Sequence, residues 1–560
     1  MAILSPSVAQ AAPLPGDQAD ASGQRDSSAS LARAGQAGPV TLGPGTYRVD
    51  ASITIAHHLS FLPGARLRLA AGVTVTLAGG LSAAPLQIFE GPGSIAFPTG
   101  AAPLEGYPEW WGARTNDGNA DNRAAFTACL QACPLMRLHN ADYFFHDTWV
   151  ANVSYRTIRG HYGDYSDTGR GTRLVLTGPA AHTAPQLIAG TWPVPASQTQ
   201  AVWFLRIEDI AIIRDAGLYP VTPPEPRDDY RCVAGVIFGG VVHSGLSRVH
   251  VAESQVGIWA HGAVHSTLDD CIVNRSIKGN GANPAADTYI GFLFGGPRAN
   301  YGYIGANASI YARRCLAVGN NALTDTVGIL LKDFLGDTFL ADMETALLAT
   351  GLRIDGQGRG DQEAGQDISI HHPILDGCSF AGMDLRGLNA SASIGIVDPY
   401  IAPTGSAAGI RLDLCAAALT VTGGQILGPT GSTGFKARAS SGFDVDGLRI
   451  RDCSYPAVLQ DVSAFRLRPS ILNRFVKAGN AVAASGQITD GLIAPIVQAV
   501  GQTFGTGIAL SGNGIERTEC HLTTIAASAL TGGGARLSFN GSAVNGATFG
   551  RHCIASGVTG

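Results

Sequence analysis

A four-residue phrase recurs through the middle of the chain: glycine, an apolar residue, a variable position and a second apolar residue. It reads GIWA at Gly257, GFLF at Gly291, GILL at Gly328, GLRI at Gly351, GMDL at Gly382, GIRL at Gly409 and GFKA at Gly434. Successive starts lie 34, 37, 23, 31, 27 and 25 residues apart. Such a repeat with insertions of variable length marks stacked supersecondary units. An alternating strand accompanies the units: LSRVHVA from Leu246, LDDCIV from Leu268, YARRCLAV from Tyr311, ISIHHPIL from Ile368, IGIVDPYI from Ile394, LTVTGGQIL from Leu419 and FDVDGLRI from Phe443. Two or three short strands per turn with no helices between them predict an all-β chain, a parallel β-helix.

The phrases also fix a register. Stacking them sets Arg353, Asp384, Arg411 and Lys436 in one outward column, and Asp355, Arg386, Asp413 and Arg438 in the column two residues on. Opposite charges mostly face each other between neighbouring coils, as cross-strand pairing prefers. These columns read as exposed structural ladders, so Asp384→Asn is expected to leave activity nearly intact.

On either side the pattern changes. Residues 1–36 are rich in Ala, Ser, Gly and Gln without periodicity and are expected to be a flexible N-terminal segment. Residues 37–107 carry alternating segments cut by Pro and Gly turns, such as TYRVDASITI and VTVTLAGGLSA, and predict a small β-rich domain. At residues 108–473 a helix N-capped by Asp121 or Asn122, with Ala125, Phe126, Cys129, Leu130 and Cys133 on one face, caps the open end of the solenoid. Beyond Asn473 the phrase disappears into Ala, Gly, Ser and Thr rich strands, which predict a separate C-terminal β domain at 474–560, for trimerisation or glycan contact.

Composition narrows the function classes. Charged residues are 14% of the chain, and 73 of its 560 residues are glycine. That balance suits many tight turns around a long apolar interior. A net charge of −5 and no basic run with interleaved aromatics argue against nucleic acid as a partner. No apolar stretch approaches membrane-spanning length, so no membrane insertion is expected, and the N-terminus lacks the pattern of a signal peptide. The ten cysteines have neither disulfide-scaffold density nor metal-site spacing, so neither a metal nor a cofactor is expected.

The capping segment, PEWWGARTNDGNADNRAAFTACLQACP from Pro108, carries a family resemblance. With Glu109, Trp110, Trp111, Gly112, Ala113, Asp117, Gly118, Asp121, Ala124, Ala125 and Phe126, it resembles the lead-in of the pectate-lyase-like tailspike proteins of bacteriophages. The resemblance covers roughly residues 38 to 470. It implies a right-handed single-stranded parallel β-helix, attachment to a virion tail or baseplate through the N-terminal region, and action outside cells on a bacterial surface polysaccharide. The segment LHNADYFFHDTW departs from the usual lead-in after the helix.

Candidate chemistry lies in a second column, where Asp269 and Asp270, Arg313 and Arg314, Asp342 with Glu344, His371 and His372, and Asp398 follow one another over about five coils before Gly423 and Gly424. Glycoside hydrolysis uses two carboxylates, about 5 to 5.5 Å apart for retention and about 6.5 to 9.5 Å for inversion. Residues two apart on one strand share a face at about 6.5 to 7 Å. Asp342 and Glu344 are therefore the leading acid and base, with Asp270, two coils from Asp342, the alternative partner. Arg314, His372 and Asp398 are expected to bind substrate, together with Trp259 and the loop residues Tyr301 and Tyr303, whose rings suit the faces of sugars. In a polysaccharide lyase, Arg314 would neutralise a uronate and His372 would take the proton.

The expected function is a tailspike that binds and depolymerises a capsule, exopolysaccharide or O-antigen by hydrolysis, with a lyase or a non-cleaving receptor-binding tail protein as alternatives. Outward apolar residues such as Leu293 and Leu330 would need cover, which predicts a homotrimer.

Overall fold

The computed structural model describes residues 19–98, 100–101, 103–162, 171–177, 184–195, 198–214, 234–274, 288–295, 308–319, 325–332, 337–356, 367–474, 480–499, 506–524, 536–540, 544–545, 548–549 and 554–556. The chain divides into two compact units, one of residues 1–177 with 205–211 and one of 178–204 with 212–560.

The first unit begins earlier than its composition suggests. A helix, α1 (Ser28–Ala37), occupies what reads as flexible linker and buries Leu31, Ala34 and Gly35. Leu31 and Ala34 are a helical turn apart, and Gly35 admits the close approach of Ile55, which a Cβ there would meet at 2.7 Å. The β-rich segment that follows is itself a short parallel β-helix with three faces. Val40, Leu59 and Leu81 start the strands of one face, paired in parallel register. Gly45–Val49 and Ala65–Leu69 pair on a second, and Ile53–Ile55 and Thr74–Leu77 on the third. The inward residues Val49, Ile55, Leu59, Leu67, Val75 and Leu77 form its core.

The capping helix α2 (Arg123–Ala132) is N-capped by Asn122 and buries Ala125, Phe126, Cys129 and Leu130. Asn122 holds the turn by a different route from a usual cap, since its side chain bonds both backbone groups of Arg114 and the carbonyl of Phe144. Trp110 is buried and donates to the Ala84 carbonyl at 2.9 Å. Glu109 is also buried, accepting from the Tyr143 hydroxyl at 2.5 Å and facing His139 at 3.0 Å.

In the second unit the glycine phrases form one face of a right-handed parallel β-helix. Their glycines stack coil on coil: a Cβ on Gly257 would meet the Gly291 carbonyl at 2.7 Å, one on Gly291 the Gly328 carbonyl at 2.6 Å, and one on Gly382 the Gly409 carbonyl at 2.8 Å. The same Cβ positions run into side chains of the third face, Val273 at 1.9 Å for Gly257 and Ile401 at 2.1 Å for Gly382. The phrase therefore begins with glycine because two faces of the coil close on that point, leaving no room for a methyl group.

The predicted register holds. Arg353 pairs with Asp384, Asp384 with Arg411 and Arg411 with Lys436; Asp355, Arg386, Asp413 and Arg438 run beside them. Their expected exposure does not. Asp384 is wholly buried, 2.5 Å from Arg386 Nη2, 3.3 Å from Arg353 Nε and 3.5 Å from Arg411 Nη1. The Phe380 ring lies against the Arg386 and Arg411 guanidinium groups, 5.7 and 5.2 Å from its centroid. Long side chains fold over the short one between them, which strand alternation alone does not reveal.

The same outward column is apolar in the preceding coils, running Ile188, Ile237, Trp259, Leu293 and Leu330. These five residues are buried in one cluster, with Trp192 packed against it. Leu293 and Leu330 are thus covered within the chain and supply no reason for a trimer.

A further correction concerns residues 474–560. Strands beyond Asn473 go on pairing in parallel with the coils before them, Ala457 with Val482, Val482 with Ile508 and Ile508 with Leu537. Among the described residues the parallel pairing continues beyond Asn473 without the glycine phrase. Among the described residues no helix is long and apolar enough to cross a membrane.

Candidate functional site

The candidate column occupies a corner of the coil. Asp270, Arg314, Asp342, His372 and Asp398 all have left-handed backbones, with φ between 48 and 52°, and Gly423 follows at 69°. Each bends the chain from one strand to the next, and its N–H reaches the following coil: Asp270 to the Arg313 carbonyl, Arg314 to Ala341, Asp342 to His371, His372 to Val397 and Asp398 to Thr422. Cys271, Cys315 and Met343, immediately after the bends, point inward and are buried. Left-handed φ is costly for most residues and most tolerable for Asn, Asp and His, which explains part of the column's composition.

At the corner acidic and basic side chains alternate. Arg314 donates to Asp270 at 2.7 and 3.1 Å and to Asp269 at 2.7 Å. His372 lies 3.5 Å from Asp342 and 3.8 Å from Asp398, and Asp398 also accepts from the Gly424 N–H at 3.1 Å. The hydrogen bond from Arg314 holds the Asp270 carboxyl below the usual carboxylate range, so Asp270 is an anchored anion and a poor proton donor. Asp342 remains 59% exposed at its side chain.

The bend changes the basis of the predicted acid and base. Asp342 lies in the bend after the strand Thr338–Ala341 and Glu344 opens the next, Glu344–Ala346, so the two are not neighbours on one flat strand. Both are exposed, on either side of the inward Met343. Glu344 stands in register with Leu316 and Ile374 on the third face.

Beside the corner lies a face that the sequence reading passed over. Tyr311, Phe339, Ser369, Gly395, Thr420, Asp444 and Arg466 stand in one outward register. Tyr311 is 47% exposed. Its ring is 6.3 Å from that of Phe339, which lies 5.1 Å from His371. The first coils therefore present a strip of rings, the middle coils present small side chains, and the far coils present a carboxylate and a guanidinium. Six coil steps at about 4.8 Å give this face a length of about 29 Å. Period-two alternation exposes Tyr311 and Phe339, a signal already present in YARRCLAV and TFLA.

Of the other predicted contacts, Trp259 is withdrawn. It is wholly buried, donates to the Gly295 carbonyl at 2.6 Å and packs against Trp192. Tyr301 and Tyr303 lie outside the described residues. Tyr289 is buried.

No protein-family model and no curated protein matches the sequence. Solved structures do. A double mutant of the tailspike protein of E. coli bacteriophage HK620, in complex with a pentasaccharide, matches with a TM-score of 0.54 at 10% identity, over 77% of this chain and 76% of that one. A single mutant of the same tailspike, also with a pentasaccharide, gives 0.52 at 10% identity over the same shares, 77% and 76%. PfbA, a surface adhesin of Streptococcus pneumoniae, matches at a TM-score of 0.42 and 10% identity over 81% of this chain and 93% of its own. At such identities the likeness is one of fold.

Proposed function

From a tailspike-like parallel β-helix as premise, we propose that this protein binds a bacterial surface polysaccharide along the ring face and cleaves it at the neighbouring corner. One observation carries the reading: a strip of rings, exposed at Tyr311 and half-buried at Phe339 and His371, borders a row of exposed carboxylates. Rings offer flat apolar area to sugar faces, and nearby carboxylates offer proton chemistry. The complexes of the HK620 tailspike with a pentasaccharide support a glycan as the ligand class.

Hydrolysis is the preferred chemistry. Asp342 and Glu344, both open to solvent, remain the leading acid and base, and Asp398, on the far side of His372, is the alternative partner for Asp342. Asp270 ranks lower because Arg314 engages both its oxygens. Elimination through Arg314 and His372 is the second chemistry.

The reading extends to a homotrimer on a virion tail, attached through the N-terminal region and acting at the bacterial surface. A non-cleaving receptor-binding protein is the rival reading, favoured by the way corner residues pair with one another. Incubation with capsules and lipopolysaccharides of candidate hosts separates these cases. New reducing ends mean hydrolysis, unsaturated uronates mean elimination, and retention without products means a binder.

A further inference from the structure

At the far end of the ring face, its other edge also turns on left-handed residues. Another set of left-handed corners runs Gly442, Ala464, Asp490 and Arg517, with φ of 77, 48, 53 and 46°. Gly442 donates its N–H to the Ala464 carbonyl, and the strands around Ala464 and Asp490 are in register. The lower two corners form a charged ladder, since Arg517 donates through both Nε and Nη2 to Asp490. The upper two carry nothing beyond a Cβ. A recess of about 230 Å³ opens there, bounded by Gly442, Ala464, Asp444, Arg466 and Asp490.

Two features keep it open. A side chain on Gly442 would be strained at that φ and would meet the Ala417 carbonyl at 2.8 Å. Ala464 holds a left-handed backbone, costly for an L-residue, without the Asp, His or Arg side chain that fills other corners. Phe443 and Phe465 add apolar wall, and Asp444, Arg466 and Asp490 add polar wall. Asp444 is steered by Arg468 Nη2 at 3.4 Å and Arg466 Nη1 at 3.9 Å, and Arg466 keeps 66% of its side chain exposed. Asp444 and Arg466 belong to the same outward register as Tyr311 and Phe339.

We infer that this recess is a subsite for a single pyranose residue, with the Asp444 and Asp490 carboxylates accepting its hydroxyls and Arg466 donating to its oxygens. The recess is smaller than the roughly 300–1,000 Å³ of sites for drug-sized ligands, which favours one sugar over several. Carboxylates accept two donors side by side, matching vicinal hydroxyls, while the guanidinium fork supplies the complementary donors. The inference rests on the glycan-binding reading and extends it from a face to a defined end point.

The test uses the full chain and methyl glycosides of glucose, galactose and mannose at millimolar concentration, read by saturation-transfer NMR. Two variants probe the recess: Asp444→Ala removes a wall, and Ala464→Asn fills the corner with a residue that tolerates left-handed φ. An unchanged melting transition confirms that each is folded. The expected result is transfer to at least one glycoside in the wild type and its loss, by about tenfold in affinity or 1.4 kcal/mol, in both variants. No transfer to any glycoside, or equal transfer in wild type and variants, overturns the subsite. Failure of the broader reading appears separately, as no polysaccharide retained by the wild-type protein.

Discussion

Arg314 grips Asp270 across one coil step, Nε on Oδ1 at 2.7 Å and Nη2 on Oδ2 at 3.1 Å. The pair holds the Asp270 carboxyl below its ordinary value in the folded chain. Its contribution to stability is therefore present above the unfolded carboxylate pKa of about 3.9 and is lost as pH falls through the folded value. Because the pair faces solvent, the contribution is small. Asp270→Asn should lower the melting temperature slightly at neutral pH, and the difference from wild type should vanish in acid. A gap that persists or widens as Asp270 is protonated would contradict this.

Asp384 should show a far larger effect. Removing the buried carboxylate leaves Arg353, Arg386 and Arg411 without their shared partner. Breaking such a pair costs about 3–5 kcal/mol. Asp384→Asn should shift the denaturation midpoint by a corresponding amount while leaving turnover per folded molecule unchanged. A midpoint equal to that of wild type would return the column to the status of a surface ladder.

Gly382→Ala tests the stacked glycines. The added methyl carbon would stand 2.1 Å from Ile401 Cγ2 and 2.8 Å from the Gly409 carbonyl. Overpacking of this kind costs about 1–3 kcal/mol. Urea titration of the variant measures it, and an unaltered midpoint would mean that the coils separate more easily than their packing implies.

Binding and cleavage should come apart by mutation. Asp342→Asn and Glu344→Gln keep shape but remove proton chemistry, which is worth about 10²- to 10⁴-fold in rate. Glycan retention should survive in both. Tyr311→Ala should do the reverse, weakening retention by about tenfold, or 1.4 kcal/mol, without touching the carboxylates. Wild-type cleavage by both carboxylate variants would remove them from the mechanism, and lost cleavage in Asp398→Asn instead would move the reaction along the corner.

The register of the coils was legible because a repeated glycine and alternating side chains leave little freedom in how strands stack. Arg353, Asp384 and Arg411 fell into line on that basis alone. The corner at Asp342 was not legible, because a left-handed residue interrupts period-two alternation and the column's preference for Asp, His and Gly is blurred by Arg314, so a row of charges reads equally well as an outer strand face. The burial of Trp259 and Leu293 depends on Ile188 and Trp192, distant in sequence. The β character of residues 37–107 was legible, but the stacking of its coils was not, because strands such as Val40–Leu42 and Leu59–Phe61 are three residues long and lack the phrase.

The stacked glycines hold still while the spacing between them ranges from 23 to 37 residues. Length is absorbed at the corners, and each coil touches only its neighbours. Scaffold and specificity are thereby uncoupled: a segment inserted or exchanged between two strands alters what the surface recognises while the thread of the screw stays constant. One such segment can be replaced at a time without the invention of a new fold.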